Sequence, residues 1–303
     1  MIVRTVCTDQ TRRSFNKGCL AMLSGACLTS ADAVQSATGT YAIDTHAHVF
    51  HRGLKLADSR RYAPGYDATL ADYLRQLDEN GLTHGVLVQP SFLGTDNSYL
   101  VESVAAAGGR LRGIAVVDPA IPAQELAALD KSGVVGIRLN LVGKPFPDLS
   151  AKPWQVLLTE VARLGWQIEV QRNAADLAAL APRLLETGAQ VVLDHFTLPD
   201  PTLGISDPGF AAILKLGATR QLWIKLSASY RSGPEGEQFA QQAYPLLRQS
   251  FGTERLLWGS DWPHTQYEAV QNYSKARAFL DQLITDSKER AQVLSSPKAL
   301  FRF

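Results

Sequence analysis

The chain has 303 residues, of which 46% are hydrophobic and 19% charged, which is an ordinary globular composition. Its 30 basic and 29 acidic residues give a net charge of +1 at pH 7, with no basic run and no acidic tail. This balance argues against nucleic acid and anionic membranes as partners.

The first 33 residues have the pattern of a twin-arginine signal peptide. Arg12-Arg13 starts the basic motif, an apolar stretch follows over residues 18–28, and Ala31-Asp32-Ala33 supplies small residues for cleavage. The apolar stretch is shorter than the roughly 20 residues that a membrane span needs. We therefore expect export to the periplasm, no stable membrane anchor, and a single mature domain over residues 34–303.

All three cysteines and both methionines of the chain lie in this leader. The expected mature chain therefore has no disulfide, no thiol nucleophile and no thiolate metal ligand. It also lacks the two side chains that are most easily oxidised, which suits an oxidising compartment.

Beyond the leader, apolar runs typical of strands alternate with stretches typical of helices. The predicted strands cover residues 42–49, 85–89, 112–118, 134–140, 166–171, 190–195, 222–227 and 256–261. The predicted helices cover residues 68–79, 99–106, 123–131, 154–164, 174–186, 210–216, 236–250 and 267–283. Eight strands, each followed by a helix, predict an α/β fold with parallel strands. The alternative, an open doubly wound sheet, normally has a glycine-rich loop after its first strand, and this chain has none there.

The ends of the first and last predicted strands favour a (β/α)8 TIM barrel. His46 and His48 are two residues apart on the first strand and point to the same side. Asp261 ends the last strand and can meet the two histidines only if the sheet closes on itself. In such a barrel, the active site lies at the carboxyl ends of the strands. The long stretches 52–67 and 141–152 both follow strands, so we expect them over its mouth.

The same alternation places further polar side chains inside the barrel, where each must find a partner. The expected inward residues are Gln89, Ser91, Arg138, Asn140, Gln167, Glu169, Gln171, His195, Lys225 and Ser227. Packing alone would fill a barrel interior with valine, isoleucine and leucine. The pattern therefore indicates a functional site built around His46, His48, His195 and Asp261.

Several of these residues have a second interpretation. Asp261 precedes Pro263 and is also typical of a helix cap. Asp44 is expected either as a supporting carboxylate or as a catalytic one. Arg138 and Arg231 are interpreted either as ion-paired structural arginines or as anchors for a substrate carboxylate. Residues 60–62 are expected at the solvated surface, with Tyr62 over the pocket as the alternative.

These motifs, taken together and in this order, resemble the amidohydrolase superfamily, and within it the 2-pyrone-4,6-dicarboxylate lactonases and related lactonases. The resemblance covers residues 41–303 and rests on Asp44-Thr45-His46-Ala47-His48, Arg60-Arg61-Tyr62-Ala63-Pro64, Gly136-Ile137-Arg138-Leu139-Asn140, Asp194-His195 and Trp258-Gly259-Ser260-Asp261-Trp262-Pro263-His264. It implies a hydrolase that opens a small carboxylated lactone. The implied catalytic residues are His46, His48, His195 and Asp261. The implied substrate-binding residues are Tyr62, Ser91, Arg138 and Arg231.

One stretch departs from that pattern, and it concerns the substrate. The pyrone lactonases have Gly-Arg-Pro shortly after the Asp-His pair, and this arginine helps to hold a carboxylate. Here the matching residues are Thr197-Leu198-Pro199. The loss of a cationic anchor is worth about 1.5–3 kcal/mol, so it affects the expected dicarboxylate more than the reaction class.

The histidines and Asp261 also suit a zinc ion, with His46, His48, His195 and Asp261 as ligands. Metal-dependent members of the superfamily place a histidine on the fifth strand, where this chain has Gln167-Ile168-Glu169-Val170-Gln171. We therefore expect no cofactor. The alternatives are a zinc-dependent hydrolase or decarboxylase of another small carboxylic acid, in which Glu169 contributes an oxygen ligand, and a non-catalytic periplasmic binding protein.

Overall fold

A computed structural model describes residues 41–303, so the expected signal peptide and its cleavage site lie outside the described residues. This part of the chain contains ten α-helices and eight strands. The strands are β1 Ile43–Ala47, β2 His84–Val88, β3 Leu111–Ala115, β4 Val134–Asn140, β5 Gln167–Gln171, β6 Gln190–Leu193, β7 Leu222–Ser227 and β8 Leu256–Gly259. The helices are α1 Leu70–Glu79, α2 Ser98–Ala106, α3 Ala123–Lys131, α4 Lys152–Arg163, α5 Ala174–Leu185, α6 Pro208–Leu214, α7 Gly236–Phe251, α8 Tyr273–Leu283, α9 Ser287–Ser295 and α10 Pro297–Leu300.

The eight strands form one parallel sheet in sequence order, and this sheet closes on itself. Closure occurs just beyond β8, where Trp262 pairs in parallel with Ala47. The amide of His48 donates to the Trp262 carbonyl over 2.8 Å, and the amide of Asp261 donates to the His46 carbonyl over 2.8 Å. The predicted (β/α)8 barrel is thus confirmed, and its closing hydrogen bonds hold the two motifs together.

The interior of the barrel is apolar at one end and polar at the other. At the amino-terminal end, buried side chains from the strands pack against Leu300 and Phe301 of the last turn. Toward the carboxyl ends of the strands, the buried interior side chains include His46, Arg138, Glu169 and Lys225. The opposite faces of the strands pack against the helices in the main hydrophobic core. The apolar layer anchors the barrel, and the polar layer forms the site.

The C-terminal region differs from the sequence-based prediction. The helix predicted over residues 267–283 begins only at Tyr273, and its N-cap is Asn272, whose side chain accepts from the Lys275 amide. The preceding residues form turns that reach the mouth of the barrel. Helices α9 and α10 were not predicted. Among residues 41–303, no helix is both long enough and apolar enough to cross a bilayer.

Candidate active site

A cavity of about 220 Å³ opens at the carboxyl ends of the strands. Its lining contains seven residues predicted from the sequence as site residues, namely His48, Tyr62, Ser91, Arg138, His195, Arg231 and Asp261. Arg61 and Val142 also line it, which confirms that both long loops lie over the mouth. His46 lies directly behind this lining and is fully buried. The predicted site residues therefore meet in one place.

A larger cavity, about 690 Å³, lies outside the barrel between α2 and α3. Residues such as Val101, Ile121 and Leu129 line it. The histidines and Asp261 are not part of this lining, so size alone does not mark the site.

The three histidines surround one point at the top of the barrel. The ring centres of His46 and His48 are 5.0 Å apart, and those of His46 and His195 are 4.8 Å apart. Nδ1 of His48 lies 2.7 Å from the Val88 carbonyl, and Nδ1 of His195 lies 2.9 Å from Ser227 Oγ. Burial lowers the pKa of His48 to about 4 and that of His195 well below its ordinary value, although Asp261 acts in the other direction.

Asp261 uses its two carboxylate oxygens differently. Oδ2 accepts from the Tyr230 hydroxyl over 2.5 Å and from Arg231 Nε over 2.8 Å. Oδ1 lies 3.6 Å from His46 Nε2 and 3.7 Å from His48 Nε2, and within residues 41–303 it has no hydrogen-bond partner. Burial would raise the pKa of Asp261. The positive charge of Arg231 and the contacts with the nearby histidines instead hold that pKa well below its ordinary value. The carboxylate is therefore ionised at neutral pH with one oxygen unpaired.

The backbone of Asp261 is in the left-handed region, with φ of +59°. An aspartate tolerates this conformation better than most residues, at a cost of about 1–3 kcal/mol. The turn aims the side chain across the barrel mouth, and Asp261 does not cap a helix.

The two arginines of the site are both ion-paired and exposed to the cavity. Arg138 donates from Nε and Nη2 to Asp194 Oδ2, over 3.3 and 3.1 Å, and from Nη2 to Gln171 over 2.8 Å. Arg231 binds Asp261 and lies over the rings of Tyr230 and Tyr267. Nη1 of either arginine has no acceptor in the described part of the chain. Each guanidinium is thus ion-paired with a carboxylate and still lines the cavity, whereas its role as a substrate anchor stays a prediction.

A buried cluster beneath the cavity was only partly foreseen. Lys225 Nζ lies 2.5 Å from Glu169 Oε2, 3.4 Å from Asp194 Oδ1 and 2.9 Å from His46 Nδ1. All four side chains are fully buried. The charges of Lys225 and Arg138 hold the pKa of Asp194 well below its usual value, although burial opposes this. Strand alternation predicted that Lys225 and Glu169 point inward but did not predict their pairing.

Asp44 joins the first and last strands and does not line the cavity. Its carboxylate accepts from the Ser260 amide over 2.8 Å, from Ser260 Oγ over 2.6 Å and from the Tyr273 hydroxyl over 2.9 Å. Burial raises its pKa. Of the two interpretations of Asp44, the structure favours the supporting role over the catalytic one.

Of three residues around the mouth, one was missed, one was placed in solvent, and Tyr62 lies over the cavity as its alternative interpretation stated. Tyr230, which follows the seventh strand, binds Asp261 and was not singled out. Arg61 was expected in solvent; it is exposed, but at the rim of the cavity, with Nη2 3.5 Å from Asn140 Oδ1. Tyr62 lines the cavity, and its hydroxyl lies 3.2 Å from Thr265 Oγ1. No sequence pattern marks Tyr230, because it reaches the site from the segment that follows the seventh strand.

The donor atoms of the site are close enough to hold a divalent ion. Those of His46, His48 and Asp261 lie within 4.8 Å of one another, and so do those of His46, Asp194 and His195. Glu169, the alternative oxygen ligand, is instead paired with Lys225.

Comparison with known proteins identifies the family. The chain is 35% identical over 236 residues to 2-pyrone-4,6-dicarboxylate hydrolase of Comamonas testosteroni, which covers 74% of this chain and 77% of the relative. It is 26% identical over 267 residues to 4-sulfomuconolactone hydrolase of Hydrogenophaga intermedia, covering 85% and 88%. A crystal structure of a probable 2-pyrone-4,6-dicarboxylic acid hydrolase from Acinetobacter baumannii with citric acid bound superposes with a TM-score of 0.84 at 43% identity, covering 86% and 99%. Residues 43–303 match the family described as amidohydrolase, and the chain therefore belongs to the amidohydrolase family.

Proposed function

We propose that this protein is a hydrolase that opens a small lactone carrying acidic groups, by attack of water on the ring carbonyl with Asp261 as general base. The observation that carries the proposal is the unpaired Oδ1 of an ionised Asp261 beside the cavity. Two relatives support the substrate class, since their names denote lactones that carry acidic groups.

Asp261 can accept a proton through only one of its two carboxylate oxygens. Tyr230 and Arg231 fix Oδ2, so the carboxylate cannot rotate, and Oδ1 remains the acceptor for a water proton. General-base catalysis of this kind contributes about 10²–10⁴ in rate. The depressed pKa keeps the base form present far into the acid range.

His48 serves in this proposal as a second acceptor for the water. A carbonyl oxygen accepts only, so the 2.7 Å contact with Val88 requires the proton on Nδ1 of His48. With a pKa of about 4, the ring is neutral at pH 7 and Nε2 has a free lone pair. That nitrogen lies 3.7 Å from Asp261 Oδ1, which leaves room for a water held by both.

The two arginines bind the acidic groups of the substrate. Arg138 and Arg231 line the cavity from different strands, and each is held in place by its own carboxylate. Charge-assisted hydrogen bonds from such fixed guanidinium groups orient a substrate carboxylate. Ser91 and Tyr62 complete the binding surface.

The proposed reaction uses no metal. A divalent ion would be held by His46, His48, Asp261 and His195 and would supply a Lewis acid for the carbonyl. The charges of the site support the reaction without one. Within the site and the cluster beneath it, the ion-paired cations and carboxylates are three of each, namely Lys225, Arg138 and Arg231 against Glu169, Asp194 and Asp261. Additional positive charge in this buried cluster would be uncompensated.

The general-base assignment is tested with Asp261→Asn. We expect turnover of an acidic lactone to fall by at least about 10²-fold. Citrate, which a solved relative binds, should still bind by isothermal titration calorimetry, because the arginines remain. The exposed Asp58→Asn is the control. Near wild-type turnover in Asp261→Asn would refute the assignment, and citrate binding without turnover of any lactone would indicate a binding protein.

The metal question is tested by elemental analysis of the purified protein and by assays before and after chelation. We expect full activity with no stoichiometric metal. About one zinc per chain together with activity lost to chelators would instead support a metal-dependent hydrolase or decarboxylase.

We further propose that the protein is exported to the periplasm through its Arg12-Arg13 motif. The clustering of all cysteines and methionines before residue 34 supports this. Cell fractionation and N-terminal sequencing should give a periplasmic protein that begins at Val34. Replacing both arginines with lysine should retain the full-length chain in the cytoplasm, and unchanged export would contradict the proposal.

A further inference from the structure

Lys225 lies inside the barrel, beneath the cavity, and does not line it. Its ammonium is 2.9 Å from Nδ1 of His46, the histidine whose other nitrogen faces Asp261. No sequence motif and none of the site assignments above gives this lysine a role in the reaction. It therefore reaches the site indirectly, through the His46 ring and through Asp194, which also binds Arg138.

Lys225 is ion-paired with two buried carboxylates. Those of Glu169 and Asp194 lie 2.5 and 3.4 Å from Nζ, and both are fully buried. A neutral amine would leave both carboxylates without their nearest cation, which is costly in a buried site.

A charged lysine decides the position of the proton on His46. An ammonium group has three donors and no acceptor, so Nδ1 of His46 must accept. The carboxylates of Glu169 and Asp194 are farther from Nδ1, at 3.4 Å each, which is beyond the usual hydrogen-bond range. The ring proton therefore belongs on Nε2. A doubly protonated ring would set an N–H against the ammonium.

We propose that Lys225, held by Glu169 and Asp194, is a positioning residue that fixes His46 as the Nε2–H tautomer. His46 and His48 then carry their protons on opposite nitrogens, because the Val88 carbonyl holds the proton of His48 on Nδ1. His46 presents a donor toward the centre of the site, and His48 presents a lone pair. Nε2 of His46 has no hydrogen-bond partner in residues 41–303, so its proton is available to an incoming oxygen.

For the reaction, this makes His46 the N–H donor to the carbonyl oxygen of the lactone, a step that rests on the proposed function. As negative charge develops on that oxygen, a fixed donor stabilises it, typically by about 10²–10³ in rate. The inference also bears on metal binding, since a nitrogen that carries a proton has no lone pair for an ion.

The tautomer is measured directly on the wild-type protein labelled with ¹⁵N-histidine. Long-range ¹H–¹⁵N spectra at pH 7 distinguish a protonated ring nitrogen from a bare one. His46→Gln and His48→Gln assign the two rings among the six histidines of the chain. We expect a bare Nδ1 and a protonated Nε2 for His46, with the reverse for His48. A proton on Nδ1 of His46, alone or together with Nε2, would overturn the inference.

A variant then tests the role of the lysine. Lys225→Met is combined with Glu169→Gln, so that the net charge of the cluster is kept. We expect the His46 spectrum to lose its single tautomer and kcat to fall by about 10²-fold or more, with little change in KM. The exposed Lys215→Met is the control. A folded double variant that keeps both the tautomer and kcat would refute the role of Lys225.

The two proposals fail separately. The wild-type spectra do not depend on turnover, so the expected tautomer in a protein that opens no lactone would leave the lysine inference standing and the proposed function wrong. A protein that opens the lactone but has the opposite His46 tautomer would leave the proposed function standing and the lysine inference wrong.

Discussion

Around Asp261, two hydrogen bonds and one ion pair divide the carboxylate into a fixed and a reactive oxygen. The Tyr230 hydroxyl donates to Oδ2 over 2.5 Å, and burial together with the negative charge of Asp261 raises the pKa of that tyrosine well above its ordinary value. The tyrosine therefore remains a donor at any working pH. Removing it changes the base without touching the unpaired Oδ1.

Tyr230→Phe should move the acid limb of the kcat/KM profile to higher pH. Loss of a donor to an ionised carboxylate raises the pKa of that carboxylate, so Asp261 is protonated sooner as the pH falls. The measurement is the pH dependence of kcat/KM for one acidic lactone. Tyr267→Phe, whose ring is next to Tyr230 at 4.7 Å, is the matched control and should leave the profile in place. An unmoved limb in Tyr230→Phe would contradict the assignment of Asp261.

Arg61 and Arg60 allow a comparison of neighbouring arginines. Arg61 lies at the rim of the cavity, whereas Arg60 binds the Ala57 carbonyl on the surface. The charges of Arg138 and Arg231 lower the pKa of Arg61, although burial is the larger cause. Arg61 therefore adds a third guanidinium group to those of Arg138 and Arg231 around the cavity.

Arg61→Met should raise KM for a doubly acidic lactone by about tenfold, the effect of one exposed charged hydrogen bond. For a neutral lactone, KM should hardly change, since the guanidinium then has no anion to bind. Arg60→Met is the control, and steady-state kinetics on both lactones is the measurement. Equal KM values in the two variants would show that Arg61 does not contact the substrate.

At the scale of elements, β1 and β8 approach each other closely beside His46. A Cβ added to Gly259 would lie 2.6 Å from the Cβ of His46 and 3.0 Å from its backbone nitrogen. Only a glycine allows the last strand to approach the first histidine this closely. The glycine before the aspartate motif is therefore part of how His46 is positioned.

Gly259→Ala should lower both stability and kcat, because the methyl group pushes β1 away from β8 at His46. Overpacking of a buried contact typically costs about 1–3 kcal/mol. Urea unfolding and single-substrate kinetics measure the two effects. Gly65→Ala, where an added Cβ meets nothing within 4 Å, is the control. If Gly259→Ala retained full kcat, His46 would tolerate displacement and its positioning would not matter.

Strands were easier to predict than the C-terminal helices. All eight strands lie where apolar runs predicted them, because each is a short buried segment with polar ends. The region before Tyr273 was predicted as helix, but it forms turns whose Thr265, Gln266 and Tyr267 line the cavity. Local propensity does not reveal that the barrel mouth needs these side chains.

At the scale of the whole molecule, buried neutral histidines make stability depend on pH. Burial lowers the pKa of His48 and of His264 to about 4, from an ordinary value of 6.5. Between these values, the unfolded chain binds protons at both histidines and the folded chain does not. Stability therefore falls as the pH falls through this window. Asp44 opposes the trend, since burial raises its pKa and the folded state binds its proton more readily.

The free energy of unfolding should decrease from pH 7 to pH 5, by up to about 1.4 kcal/mol per pH unit for each histidine. Urea titrations at several pH values measure this slope. His264→Gln should reduce this slope by the contribution of one histidine. His51→Gln, which changes a partly exposed side chain, is the control. A slope that does not change in His264→Gln would show that this ring is not neutral in the folded protein.

The sequence by itself determined the barrel and most of the candidate site. Strand alternation places His46 and His48 on one side, and parallel strands bring their carboxyl ends together, so these local patterns suffice to predict that His195, Arg138 and Asp261 converge. This holds because barrel geometry is set by backbone hydrogen bonding and by the period of the side chains.

Only the tertiary structure decided how the polar residues pair. The partners of Asp261 and Lys225 come from different strands and loops, and their distances depend on barrel closure and loop path. Tyr230 was not predicted, and Arg61 was placed in solvent rather than at the cavity rim, because no repeating pattern controls a loop. The proton on His46 depends on one 2.9 Å contact with a residue 179 positions away. Such a contact exists only once eight strands have closed around it.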